Sequence, residues 1–171
     1  MTMRATILMG ADTGDTAATF AAARRMIENR AGRITAESEV LTSRAWGFES
    51  KRTFCNQALT VETELSPEAL LDALQSVERD CGRDREAEAR EKERTGERYA
   101  SRRIDVDIIF CDDAGGDVSR GLIIDTPRLK VPHPLVAERE FALRPLAQIV
   151  PEMKHPVTGR TVAEMLEDIR G

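Results

Sequence analysis

The chain has 171 residues, 41% of them hydrophobic and 32% charged, with a formal net charge of -5. That balance suits a folded protein with a real core. It argues against a disordered chain and against a dedicated nucleic-acid binder, which usually carries a basic excess. No apolar run reaches membrane-spanning length and the first residues lack the apolar stretch of a signal peptide, so a cytoplasmic protein with no membrane contact is expected.

Arg4 to Gly10 reads as a first strand, stopped by Gly10 and the turn formers that follow. Thr16 can cap a helix running to about Ala31, with Phe20, Ala23, Ile27 and Ala31 at helical spacing and Gly32 as its stop. Ile34 to Leu41 is a second strand. Thr42 to Lys51 is a loop carrying Trp46, Gly47 and Phe48. Phe54 to Glu62 is a third strand, with Phe54, Asn56, Ala58 and Thr60 on one face and Cys55, Gln57, Leu59 and Val61 on the other. Ser66-Pro67-Glu68 is a strong helix start, and Leu70, Leu71, Leu74, Val77 and Cys81 form the buried stripe behind it. Gln75 and Glu78 share a face of that helix.

Arg83 to Arg103 has charges of both signs and no apolar stripe, so it reads as a solvated excursion whose arginine-rich ends converge on the next strand. Ile104 to Phe110 is that fourth strand, and Asp112 to Asp117 a turn. A short extended piece lies around Leu122 to Ile124. After Pro132-His133-Pro134 a helical stretch passes Phe141 and Leu143 and is interrupted by Pro145. A last helix spans Val162 to Ile169, capped by the segment ending at Thr161. The order β-α-β-β-α-β is the split-βαβ pattern. The expected class is therefore α+β: a ferredoxin-like antiparallel sheet with helices packed on it, extra C-terminal helical segments, and one domain over 1–171.

Chemistry concentrates in Arg102-Arg103-Ile104-Asp105-Val106-Asp107-Ile108. In a strand Asp105 and Asp107 share one face, expected to look to solvent, while Ile104, Val106 and Ile108 point into a core. Two adjacent carboxylates suit Mg²⁺, which takes one or two of them plus substrate phosphates, and the arginines suit those phosphates. The plain alternative is a solvated strand with surface ion pairs. His133, held between two prolines, could donate to a phosphate oxygen or simply pack in a turn. Asn56 could read the edge of a heterocycle or anchor a loop. Phe54 and Phe141 could stack on a flat ring or fill a core. His155 is read as structural. The cysteines Cys55, Cys81 and Cys111 show no C-x-x-C spacing and read as reduced thiols. The phosphate-cradling glycine loop, the dinucleotide fingerprint, the protein-kinase signatures and the nucleophile elbow are all missing.

Taken together, several segments resemble the hydroxymethyldihydropterin pyrophosphokinases of folate synthesis. They are Met9-Gly10, Trp46-Gly47-Phe48, Phe54-Cys55-Asn56, Gln75 with Glu78, Gly82-Arg83 with Arg85, Arg102 to Ile108, Val131 to Pro134, and Arg139 to Leu146. The resemblance implies ATP and 6-hydroxymethyl-7,8-dihydropterin as substrates, AMP as a product, and two Mg²⁺ ions held by Asp105 and Asp107. It implies Arg85 and Arg102 as catalytic arginines that also contact ATP. Gln75, Glu78, Ile108, His133 and Arg139 fall on the ATP side. On the pterin side it implies Ser43, Trp46, Phe54, Asn56, Asp105 and Phe141. A monomer is expected, with no nucleic-acid partner. The chain departs from the family pattern at Asp12, at Tyr99 on the charged loop, at Ala100-Ser101, and in the length of the stretch from Glu86 to Glu97. Another two-metal nucleotidyl or phosphoryl transferase, or a ferredoxin-like nucleic-acid-binding module, is the alternative reading.

Overall fold

The computed structural model describes residues 2–12, 15–44, 53–82, 104–114 and 121–171. Trp46, Arg85, Arg102 and the charged stretch around Tyr99 lie outside the described residues. A five-stranded sheet forms the frame, built from β1 (Met3–Ala11), β2 (Arg33–Glu37), β3 (Leu41–Arg44), β4 (Thr53–Thr63) and β5 (Asp105–Asp113). The order across it is β2-β4-β1-β5, with β3 also paired to β4, and every pairing is antiparallel.

Two helices cover one face. Helix α1 (Thr16–Arg30) lays Phe20, Ala23 and Ile27 onto the sheet, and α2 (Pro67–Asp80) lays Leu70, Leu74 and Val77 beside them. They meet Ala5, Ile7, Met9, Leu59 and Val61, which follow the period-two alternation of β1 and β4. Helix α2 is capped by Ser66, which accepts from the Ala69 N–H, and ends at Gly82 in the left-handed region. The second face is covered by α3 (Glu140–Ile149) and α4 (Val162–Arg170). Leu143, Leu146, Val162 and Met165 pack there on Leu8, Ala58, Ile109 and Phe110. A small hairpin of β6 (Ile124–Asp125) and β7 (Lys130–Val131) and a 3-10 turn, Val136–Glu138, connect β5 to α3.

The structure corrects several expectations from the sequence. The cap of α1 is Asp15, whose side chain accepts from the Ala18 N–H, so Thr16 is the first helical residue. Gly32 is not a left-handed helix stop. A Cβ there would lie 2.0 Å from the Glu62 carbonyl, so glycine is required by the close approach of the chain to β4. The span expected as one strand from Ile34 to Leu41 divides into β2 and β3, and Leu41–Arg44 is strand rather than loop. Pro145 does not interrupt its helix. It is buried with Ala142, Leu143 and Leu146, and the packing of that face outweighs the roughly 3 kcal/mol proline penalty.

The largest correction is at Asp112, read as a turn residue and found in β5, fully buried. The cause is a register shift opposite Thr6 and Ile7. Ile109 and Phe110 both pack in the second core, so the strand's alternation slips by one. Cys111 thereby joins the first core, and Asp112 faces its register partner Arg4 on the other side. The Arg4 guanidinium grips the Asp112 carboxylate with two hydrogen bonds, and this raises the arginine's pKa. Breaking a buried pair by removing one partner typically costs about 3–5 kcal/mol. We therefore expect Arg4→Ala, which strands the fully buried Asp112 carboxylate, to lose about that much unfolding free energy in urea denaturation. Asp125→Ala, which removes the exposed partner of Lys130, should shift the curve far less. Equal small shifts would contradict the assignment of Asp112 as an anchor.

Candidate functional site

The register of three strands builds the site. Gly10 of β1 lies opposite Asn56 of β4 on one side and Asp105 of β5 on the other. Directly opposed antiparallel residues share a face, so Asn56, Gly10 and Asp105 form one row. The next row holds Ala58, Leu8 and Asp107. At the other flank Ser43 of β3 pairs with Phe54, which shares the Asn56 face. This is the face that α3 covers farther along the sheet.

Gly10 was legible in the sequence only as a strand end, and its role here is different. A Cβ at that position would sit 2.9 Å from Asn56 Oδ1. The glycine leaves room for the Asn56 amide to lie across β1, with the residue itself only 5% exposed. A lone glycine in a strand pattern was the available signal for such a close approach.

Asp105 and Asp107 lie side by side as expected, but neither stands on open solvent; both are half-buried. Burial, the adjacent Asp105 carboxylate and a hydrogen bond with it, and then the Glu78 carboxylate, push Asp107 up to about 7; Arg139 opposes them. Below about pH 7 Asp107 therefore tends to keep a proton beside Asp105 when no cation separates them. Hard oxygen donors held this close on a rigid strand suit a small divalent cation. Among the described residues no cluster of three or more His, Cys, Asp or Glu could hold a metal alone. A cation here would complete its shell with water or with oxygens of a ligand.

His133 is tied to the same strand. Its N–H donates to the Ile109 carbonyl at 3.0 Å, and its Nδ1 accepts from the Leu135 N–H at 3.2 Å. An accepting Nδ1 leaves the proton of the neutral ring on Nε2. Burial and then the Arg139 guanidinium lower the His133 pKa, against a smaller opposing pull from Asp105. Arg139 also lies over the Phe141 ring, 5.5 Å from its centroid, and Phe141 is 40% exposed at the start of α3. Glu78 comes from the opposite side of the sheet. It is buried, and its Oε2 accepts the Val106 N–H at 2.9 Å. Gln75 is half-buried one turn earlier on α2. Ile108 turns its side chain into the first core, so only its backbone is left to meet a ligand. Ser43, Phe54, Asn56, Asp105 and Asp107 thus share one face, and electrostatic contacts link Arg139 with Asp107 and with His133.

A family profile described as 7,8-dihydro-6-hydroxymethylpterin-pyrophosphokinase matches residues 6–151. The chain belongs to this pyrophosphokinase family. One relative in it is the 2-amino-4-hydroxy-6-hydroxymethyldihydropteridine pyrophosphokinase of Porphyromonas gingivalis, 31% identical over 148 residues, which are 86% of this chain and 90% of that protein. The protein of the same name in Methylorubrum extorquens is 34% identical over 164 residues, covering 95% and 91%. Among solved structures, the wild-type HPPK-DHPS of Plasmodium falciparum is similar over 98% of this chain with a TM-score of 0.68 at 14% identity. The same protein with pteroate gives a TM-score of 0.71 at 14% identity. These two likenesses concern the fold, and this pyrophosphokinase-family chain spans only 45% and 42% of those chains.

The proton held on Asp107 gives a pH prediction. A carboxyl raised from 3.8 in the unfolded chain to about 7 in the fold stabilises the fold below 3.8 and loses that contribution as pH rises through 7. Asp107→Asn removes the group that must ionise. In thermal melts without divalent cations, the variant should melt higher than the unaltered chain at pH 8, and the excess should shrink steadily as pH falls from 7 toward 4. A difference that does not depend on pH would mean that Asp107 is not the titrating group.

Proposed function

We propose that this chain transfers diphosphate from ATP to 6-hydroxymethyl-7,8-dihydropterin, giving AMP and the pterin diphosphate in folate biosynthesis. The observation that carries the reading is the row Asn56-Gly10-Asp105. It sets an amide that can read a heterocycle edge on the same face as a carboxylate pair fit for a metal-bound polyphosphate. The family membership and the relatives' names support it. In this reading the whole chain, 1–171, works as one domain on a ferredoxin-like frame with added C-terminal helices.

The pterin lies over the Asn56 end of the row. Its edge meets the amide's donor and acceptor, Phe54 and Phe141 flank the ring, and Ser43 and Trp46 supply backbone contacts. Asp105 and Asp107 would hold two Mg²⁺ ions, which neutralise phosphate charge and favour ionisation of the attacking hydroxyl. The hydroxymethyl oxygen attacks the β-phosphorus in line. The bond from that phosphorus to the bridging oxygen breaks, and AMP leaves with the bonding pair. Positioning and charge neutralisation carry most of the rate in such transfers.

His133 suits the phosphate side because its lowered pKa keeps the ring neutral at pH 7. With Nδ1 occupied by the Leu135 N–H, Nε2–H is the donor offered to a phosphate oxygen. Arg139, Arg85 and Arg102 add the charge that His133 lacks, and Gln75 and Ile108 lie toward the nucleoside, while the buried Glu78 behind them holds the Val106 N–H. The chain acts in the cytoplasm as a monomer, with ATP and the pterin as its partners.

The deciding assay supplies ATP, Mg²⁺ and the hydroxymethyldihydropterin and separates the nucleotide products. AMP should form only with the pterin present, and Asp105→Ala or Asp107→Ala should lower turnover by at least about 100-fold with the fold retained. ADP formed with any acceptor would replace this reading with another phosphoryl transfer.

The row predicts an asymmetric defect as well. Gly10→Ala forces Asn56 aside at an overpacking cost of about 1–3 kcal/mol. Steady-state kinetics should show KM for the pterin rising more than KM for ATP. Equal rises would separate Asn56 from pterin recognition.

A further inference from the structure

Among the described residues β5 ends the sheet, and they meet its outer edge in different ways along its length. The Leu122 N–H donates to the Cys111 carbonyl at 2.7 Å, and the His133 N–H donates to that of Ile109 at 3.0 Å. Along the part that carries the two aspartates the neighbour is a side chain. There the Val106 N–H donates to Glu78 Oε2 at 2.9 Å. An edge strand presents N–H groups that no strand pairs, and a buried one must find another acceptor. Glu78 is 4% exposed on a helix fixed by Leu70, Leu74 and Val77 in the first core. Its carboxylate therefore has little freedom to follow a ligand.

We infer that Glu78 is a positioning residue, whose carboxylate takes the place of a neighbouring strand at Val106 and so fixes the backbone from which Asp105 and Asp107 project. The inference rests on the reading of those two aspartates as the metal-holding pair. Val106 stands between them in sequence, so a strand freed at its N–H would move both carboxylates together. A displacement near 1 Å at a reacting centre can cost about 100-fold in rate. Glutamine at position 78 keeps an acceptor oxygen at the same reach. Aspartate is one methylene too short, and alanine offers no acceptor.

The test compares Glu78→Gln, Glu78→Asp and Glu78→Ala in the full chain. It follows exchange of the Val106 amide by NMR without ligands, and kcat and KM for ATP and the pterin. Glu78→Gln should keep Val106 protected and lose far less kcat than Glu78→Asp or Glu78→Ala. Glu78→Ala and Glu78→Asp should expose Val106 to exchange while amides of β1 stay protected, and should lower kcat by about 100-fold with KM for ATP little changed. If Glu78→Ala does not fold, the glutamine and aspartate variants carry the comparison. A rise in KM for ATP with kcat retained would make Glu78 a nucleotide contact and overturn the inference. Lost turnover in Glu78→Gln with Val106 still protected would overturn it too, because charge rather than the hydrogen bond would then matter. Should the unaltered chain form no AMP, the proposed reaction falls, while Val106 exchange still decides whether Glu78 pins the strand.

Discussion

The antiparallel register of β4, β1 and β5 is the constraint on which the rest depends. Side chains alternate faces along a strand, so a slip of one residue in either pairing would send Asn56 or Asp105 to the wrong side. The register is specified from below by the first core. Ala5, Ile7 and Met9 of β1, Leu59 and Val61 of β4, Val106 and Ile108 of β5, and Ile104 just before it are all buried in the core that α1 and α2 cover. The same apolar packing that stabilises the sheet therefore sets the spacing of the polar row above it. A site on paired strands is held more tightly than one on loops.

The irregularity in β5 divides that strand into two parts with different work. Up to Ile108 the alternation gives one face to the core and the other to Asp105 and Asp107. Beyond it, Ile109 and Phe110 both serve the second core, and Asp112 turns to Arg4. The Ile109 carbonyl at the shift is the one that receives the His133 N–H. Bulges are frequent beside active sites because they re-aim the chain locally. Here the bulge lets one strand carry the aspartates, receive the histidine segment and anchor its far end in a buried ion pair.

Much of this was legible in the sequence because it is local. Ser66-Pro67 and the spacing of Leu70, Leu74 and Val77 mark α2 without any tertiary information. Alternation in β4 and the first half of β5 places Asn56, Asp105 and Asp107 on faces correctly. What escaped depends on distant partners. Asp112 reads as a turn former until Arg4, 108 residues away, supplies a counter-ion. Gly32 reads as a helix stop until the Glu62 carbonyl arrives beside it. At the break between β2 and β3, Ser38 still donates its N–H to the Ala58 carbonyl, but its side-chain Oγ, not a backbone carbonyl, accepts the Ala58 N–H. The hairpin of β6 and β7 is too short for periodicity to show.

The electrostatics divide the site into two halves with opposite needs. On the strand, burial and the neighbouring Asp105 and Glu78 carboxylates make a charge on Asp107 costly. On the segment from His133 to Phe141, burial and Arg139 make a charge on His133 costly, so that half already holds one cation and resists a second. Positive charge brought to the aspartates relieves the first half, and negative charge brought to Arg139 and the His133 donor relieves the second. A nucleoside polyphosphate carried with a divalent cation brings both at once, which a bare phosphate or a bare cation does not. The proposed ATP–Mg²⁺ substrate meets both halves, and an uncharged pterin then needs only the neutral amide of Asn56 and the aromatic rings beside it.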